Sequence, residues 1–430
     1  VDREDIVRLD KARVWHPYTA MDEYVARADP IVVVRARGAR LYDADGRSYL
    51  DGNSSWFVAT LGHAHPRLLA ALKNQADTLA HCALAGIAHE PAARLADELV
   101  RAAPRGLSRV FFTDDGSTAV EVAVKIAVQM WAQCGAPRKT RFVSLDGAFH
   151  GDSVGAASLG GVEVFRRPFG GILFDCVRAP FPDPSAYERA FEAIALLVRS
   201  DADRLAAVVV EPIVQGTAGM RVYDAAYLRD LAALAARHDV LLIVDEVFTG
   251  YGRTGPMWAS EHAGVTPDIL CLGKAMCPLL PMGAALVTDR VQAAFRGGKE
   301  RALMYGHTLC GNPLGAALAR EVLSVYREEN VLDGARPKAE TIARAFDRMR
   351  SLPGVLRTRS LGMIGAADLG GGGYLGGIGW RVFEAARRRG AYLRPLGDTV
   401  YVTPPLTIDD RELDELLGIV EESIVEVGRP

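Results

Sequence analysis

The chain has 430 residues, 49% of them hydrophobic, with 50 basic against 53 acidic side chains and a formal net charge of -3. That length can bury more than one core, and a near-neutral charge without long one-sign blocks gives no electrostatic footing for nucleic acid. No apolar run is long enough to span a membrane, the start is charged and lacks a secretory core, and the six cysteines show neither a CxxC pair nor zinc spacing, so a reduced, cytoplasmic protein without a metal site or membrane partner is expected.

Residues 1–65 read as short strand-like pieces broken by turns, with a hairpin turning near Gly38. Helical periodicity follows at 66–81 and 91–103, with Pro66 and Pro91 where helix starts tolerate proline. From 107 to 325, short apolar runs (SRVFFT, TRFVSL, LAAVVVEP, VLLIVDE, DILCLG and MGAALVT) alternate with helical stretches at 118–133, 224–238 and 312–329. β-Branched runs of this kind read as buried parallel strands. The rhythm predicts an α/β fold with a mostly parallel sheet covered on both faces.

The remainder reads as a smaller α+β unit, with a helix over 337–352 and short strands in MIGAAD, AYLRPL and TVYVTPPL. A last amphipathic helix spans 409–427, with Asp409 or Asp410 available to cap it. GGGYLGG at 371–377 is a mobile or tight loop. The expected organisation is a segment 1–65 contributing to the small domain and the active site, a large domain 66–325 and a small domain 326–430. The arginines at 387–389 and at 344, 348 and 350 read as solvated helix faces.

Four separated signals suit one anionic cofactor. In DDGSTAVEVAVK, Gly116 and Ser117 sit where a strand gives way to a helix, and Thr118 and Glu121 have capping-box spacing. A helix N-terminus offers free amides and a favourable dipole end to an anion, although an ordinary capped helix would look the same. VVVEP ends a buried strand in Glu211, which reads equally as a salt-bridged structural residue. Asp245 closes the strongest apolar strand, where sites collect in parallel sheets. A carboxylate there is costly without a cation, and a protonated pyridine nitrogen would serve. Lys274 follows another apolar strand and a glycine, placed to form a Schiff base or simply to snorkel from a strand end.

Taken in order, DDGSTAVEVAVK, FHGDS, EPIVQGTAGM, DEVFTGYGRTG, GKAM and YGHTLCGNP resemble the class III aminotransferases of pyridoxal-5'-phosphate (PLP) fold type I, over essentially the full chain. VWHPYT, DGNSSWF, QMW and YLRPLGDTVYVTPPL point to the branch that aminates 8-amino-7-oxononanoate for biotin synthesis. The resemblance implies a large domain with a mostly parallel sheet, a smaller α+β domain, and ping-pong transamination between a small-molecule amino donor and a keto acceptor. S-Adenosylmethionine is the implied donor, with lysine as rival. A broader ω-amino acid or diamine aminotransferase and an intramolecular aminomutase are the competing activities.

The same resemblance makes Lys274 the Schiff-base lysine and Asp245 the partner of the pyridine nitrogen. It gives the phosphate to Gly116 and Ser117, the ring faces to Phe149 and Val247, and places near the cofactor to His150 and Glu211. Thr308 would reach the phosphate from a neighbouring subunit, implying a homodimer with shared sites. Tyr18, Trp56, Asp152, Arg253, His307, Arg394 and Tyr401 would meet substrate, with Arg394 on its carboxylate and an Asp152–Arg253 pair shaping polar contacts. The chain departs from the branch at Phe149 (commonly Tyr), Phe57 (commonly Trp), Leu396 (frequently Phe), His307 (Pro in the adenosylmethionine-using form) and throughout 160–183.

Overall fold

The structure, a computed structural model, describes residues 1–428. All six apolar runs become strands of one seven-stranded sheet. Its order is Leu107–Thr113, Gly283–Thr288, Ile269–Leu272, Leu241–Asp245, Leu205–Val210, Arg141–Leu145 and Cys176–Ala179. Five neighbours, from Ile269–Leu272 to Cys176–Ala179, run parallel. Gly283–Thr288 is antiparallel to both its neighbours. The three central strands are buried at every residue, which explains runs without alternation: both faces are covered, so neither tolerates a polar stripe. The strand Cys176–Ala179 is short and half-buried, too weak a pattern to read from sequence.

Register decides where the chemistry collects. Val210 pairs with Val244, and Asp245 with Cys271. Glu211, Asp245 and Lys274 therefore leave three adjacent strands at the same carboxyl edge, where ligands bind in open parallel sheets.

The N-terminal reading needs correction. Arg3–Arg13 and Met21–Arg27 are helices, not strand-like pieces. Neither buries a residue, so no apolar stripe advertised them. The hairpin does form, Val33–Arg37 against Arg40–Asp43, with Gly38 at φ +57° in the turn. It continues into Ser48–Asp51, which pairs in parallel with Ala391–Tyr392, so one sheet joins both ends of the chain.

Near the C-terminus, Arg357–Leu361, Ile364–Asp368 and Thr399–Val402 form an antiparallel sheet. The helix expected over 337–352 begins at Val331 and carries Pro337 inside it. Asp409 is the residue that caps the last helix, Asp410–Gly428, accepting from the Arg411 amide at 2.9 Å. Arg387, Arg388 and Arg389 bridge to Glu384, Glu422 and Glu426. Among the described residues no helix is long and apolar enough to cross a membrane.

Candidate active site

A cavity of 560 Å³ opens at the carboxyl edge of the large sheet. Its inner end is built on Asp245, 4% exposed, whose Oδ1 accepts from the Val247 amide at 3.0 Å. Oδ2 lies 2.8 Å from His150 Nδ1. His150 is buried and its Nε2 has no partner among the described residues. Burial disfavours the imidazolium, but the hydrogen bond and charge of Asp245, helped by Glu211, outweigh it and raise the imidazole pKa.

Lys274 stands one glycine beyond Ile269–Leu272, at φ +45°. A non-glycine residue there costs about 1–2 kcal/mol, strain that is held by the packed strand end and turns the side chain into the cavity. Burial lowers the ammonium pKa, opposed by Asp245, Glu211 and Asp152. The result is an amine nearer to its nucleophilic, neutral form. Glu211 bonds both ways: Oε1 accepts from the Phe149 amide and Oε2 from the Gly216 amide, each at 2.9 Å. Burial raises its carboxyl pKa to about 7. It orders two cavity-lining loops without an ion pair.

The helix Gly116–Gln133 points its first turn at the same space, with Asp115, Gly116 and Ser117 on the wall. Its capping box is Asp115 with Thr118, not Thr118 with Glu121: the Asp115 carboxylate accepts from the Thr118 amide at 2.8 Å, and Thr118 Oγ1 from the Asp115 amide at 3.0 Å. The expected box lay one turn too late, since Thr118 is already helical. Glu121 instead accepts from the Gly155 amide at 2.8 Å. Gly116 is required by crowding, because a Cβ there would lie 2.5 Å from Val247 Cγ1.

The outer end is aromatic. Ser54, Ser55, Trp56 and Phe57 take φ of +46°, +45°, +62° and +72°, one left-handed turn that swings Trp56 and Phe57 into the cavity. Side-chain bonds hold it: Ser54 Oγ donates to the Thr403 carbonyl at 2.7 Å, and Ser55 Oγ to Asp51 at 2.8 Å. Tyr18 donates its hydroxyl to Asp152 and meets Trp56 edge-on at 5.7 Å. Arg394 lies over the rings of Trp56 and Trp380, at 5.5 and 4.9 Å, with no carboxylate partner among the described residues. Its backbone amide donates to Asn53 Oδ1 at 2.5 Å. Tyr401, Val247, Phe149 and Leu396 complete the wall.

Three expected residues are not gathered here. Arg253 is fully buried outside the cavity wall, donating to the Pro404 carbonyl at 2.7 Å, and it forms no pair with Asp152, whose partner is Tyr18. Its position inside the DEVFTGYGRTG loop turns it away from the substrate space and into the protein. His307 and Thr308 are exposed and outside this chain's cavity, His307 bonded to Asp114 at 2.8 Å. Conversely, Phe165, Thr217, Tyr374 and the segment Pro278–Met282 line the cavity without having been singled out, as does Phe57, named above only as a departure from the branch. Only Phe57, adjacent to Trp56, carried a local signal.

Residues 24–424 match the family model described as aminotransferase class-III. The adenosylmethionine-8-amino-7-oxononanoate aminotransferase of Nitratidesulfovibrio vulgaris is 41% identical over 97% of this chain and 81% of its own length. The enzyme of that name from Synechococcus elongatus is 40% identical over 96% and 99%. Among solved structures, the Methanocaldococcus jannaschii enzyme of the same name superposes with a TM-score of 0.95 at 34% identity, over 99% of each chain. An omega transaminase from Pseudomonas jessenii in complex with PMP gives 0.93 at 26% identity, over 98% of each chain.

Proposed function

The chain belongs to the class-III aminotransferases, and from that premise we propose that it transfers an amino group from S-adenosylmethionine to 8-amino-7-oxononanoate. Transamination with PLP is the family's chemistry. The choice of donor and acceptor is our own reading, supported by the names of the relatives. The observation that carries it is the layout of one cavity: a desolvated lysine beside a buried carboxylate at one end, an unpaired arginine at the other, and aromatic walls between. That layout suits a slender acceptor with a terminal carboxylate.

The site fits the cofactor. The free amides around Gly116 and Ser117, at the positive end of a helix, suit a phosphate. Asp245 suits a protonated pyridine nitrogen, and Lys274 a covalent link to an aldehyde. When bound, PLP supplies the electron sink that lets the amine-bearing carbon lose its proton. Asp245, aligned by His150 and the Val247 amide, would hold the proton on a bound pyridine nitrogen. Lys274 Nζ would take the proton from the amine-bearing substrate carbon and deliver it to the cofactor carbon that had carried the aldehyde, so that water can release the keto product and the amino group stays on the cofactor. Arg394 binds the acceptor carboxylate by its planar fork, kept in place by the two indoles. The aromatic walls exclude water from the reacting end.

Lysine is the rival donor, since the carboxylate of Asp152 faces the cavity and suits an ammonium group. We further propose a homodimer in which Thr308 and His307 serve the partner's site. They lie on an exposed stretch that also presents Met304 and Leu309 to solvent. The six cysteines are unpaired, which suits the cytoplasm.

Separate half-reactions test the reading. The PLP form is mixed with S-adenosylmethionine, lysine or common amino acids, and the cofactor absorbance is followed; 8-amino-7-oxononanoate is then added. Conversion by S-adenosylmethionine and recovery with the keto acid is the expected result. Conversion by lysine would change the donor. No recovery with this keto acid would move the protein to the broader aminotransferases.

A further inference from the structure

Two segments from the far end of the chain meet on one early stretch. Ala391 and Tyr392 pair in parallel with Leu50 and Asp51, and the Gly52 amide extends that ladder to the Tyr392 carbonyl at 3.0 Å. On its other side, Gly52 accepts at its carbonyl from the Thr403 amide at 2.7 Å. A Cβ at this position would lie 2.7 Å from Leu393 Cδ2, so only glycine fits the approach. The backbone ladder ends there, because Ser54–Phe57 turn left-handed toward the cavity.

Asn53 continues the pairing with its side chain, which is fully buried. Its Oδ1 accepts from the Arg394 amide at 2.5 Å, and its Nδ2 donates to the Tyr401 carbonyl at 3.1 Å. These partners fix which way the amide faces, since an N–H can meet only the oxygen and a carbonyl only the nitrogen. Asn53 also begins the turn, its own carbonyl accepting from the Phe57 amide at 2.9 Å. One side chain thus fastens Arg394 and Tyr401, both on the cavity wall, to the start of the turn that carries Trp56. Trp56 is in turn one of the two indoles that meet the Arg394 guanidinium. Ser54 and Ser55 hold the same turn through Thr403 and Asp51 and do not touch Arg394.

We propose that Asn53 is the positioning residue of the Arg394 guanidinium, so that recognition of the acceptor's carboxylate depends on this one buried amide. The inference rests on the reading of Arg394 as the carboxylate-binding group. A planar fork meets a carboxylate with directional bonds, and its value depends on where its backbone is held. Removing the Asn53 amide leaves the Arg394 N–H without its partner, a costlier state than the loss of one bond. The backbone at Arg394 then shifts to find another acceptor, and the guanidinium leaves its place over Trp56.

The test compares kcat/KM of the PLP-loaded enzyme for 8-amino-7-oxononanoate with that for its methyl ester, at saturating donor, with S-adenosylmethionine and with lysine. The ratio is read within one preparation and does not depend on how much of it is folded. Wild type prefers the acid. Asn53→Ala lowers that preference roughly tenfold, through KM for the acid more than through kcat. Asn53→Ser, too short to reach both partners, moves it the same way. In an Arg394→Ala background, Asn53→Ala changes the ratio no further, because the group it positions is gone. A wild-type preference kept in both single variants, or equal losses on acid and ester, overturns the proposal and leaves Asn53 a merely structural role. A wild type that turns over both acceptors without preferring the acid overturns the carboxylate reading of Arg394, and one that aminates neither with either donor overturns the acceptor reading; this inference falls with each.

Discussion

Asp245 Oδ2 and His150 Nδ1 lie 2.8 Å apart, and both side chains are closed to solvent. On the proposed reading Asp245 faces a cofactor nitrogen, and a buried carboxylate in that role needs its orientation fixed from behind, as the His150 contact would do. His150→Ala removes a charge-assisted bond worth about 2 kcal/mol, so kcat should fall roughly thirtyfold, with weaker PLP retention. The imidazole pKa is raised. The pair is therefore complete below the ordinary value of 6.5 and weakens as pH climbs through the raised one. Parallel kcat–pH profiles should show an alkaline limb in the wild type that is missing in the variant.

Glu211 gives a second pH signature, of the reverse kind to a salt-bridged carboxylate. Its folded pKa is raised from 4.5 to about 7, so the folded protein holds the proton more tightly. Its contribution to stability is full below 4.5 and is lost as pH rises to about 7. Glu211→Gln should flatten that stretch of the denaturation midpoint against pH. It should also lower stability throughout, because its amide nitrogen must face one of the two backbone N–H groups at Phe149 and Gly216.

Gly116→Ala places a Cβ 2.5 Å from Val247, which lines the cavity. Overpacking of this kind costs about 1–3 kcal/mol. The strain falls where, on the proposed reading, the phosphate and ring are held, so apo-enzyme titrated with PLP should show affinity lowered about tenfold or more. Calorimetry on the apo-enzyme should show a smaller change than the loss in affinity.

Arg394 is held between indoles and presents a planar fork. Arg394→Lys keeps the charge and loses the fork and the stacking. It should raise KM for the keto acid at least tenfold, with a smaller change in kcat, as expected for an interaction made equally in the ground and transition states. A steady-state series over acceptor concentration measures this.

Strands and their chemistry were legible because burial on both faces leaves long β-branched runs ending in Glu211, Asp245 and near Lys274. Motif order marked the residues that line the inner end of the cavity. The outer wall was not legible. Phe165 lies in a short helix without buried residues and Tyr374 in a glycine turn, so neither sits in a periodic apolar pattern that marks it. Their role arises from contacts between distant segments. Arg253 failed for the opposite reason: a motif fixes its place in the chain, while its rotamer answers to the carbonyls of Met363 and Pro404 far along it. The first two helices lacked an apolar stripe, and the capping box was displaced because Asp115, not Thr118, is the last non-helical residue.

The central claim is that Lys274 carries the covalent and proton-moving role. The most direct measurement compares wild type and Lys274→Ala, each reconstituted with PLP, for visible absorbance, for borohydride fixation of the cofactor to the chain, and for single-turnover proton removal from an amine. The account predicts that the variant still binds PLP at the Gly116–Asp245 end but shows no fixation at this position, with proton removal slowed by several orders of magnitude. Wild-type spectra, fixation and turnover in Lys274→Ala would contradict it.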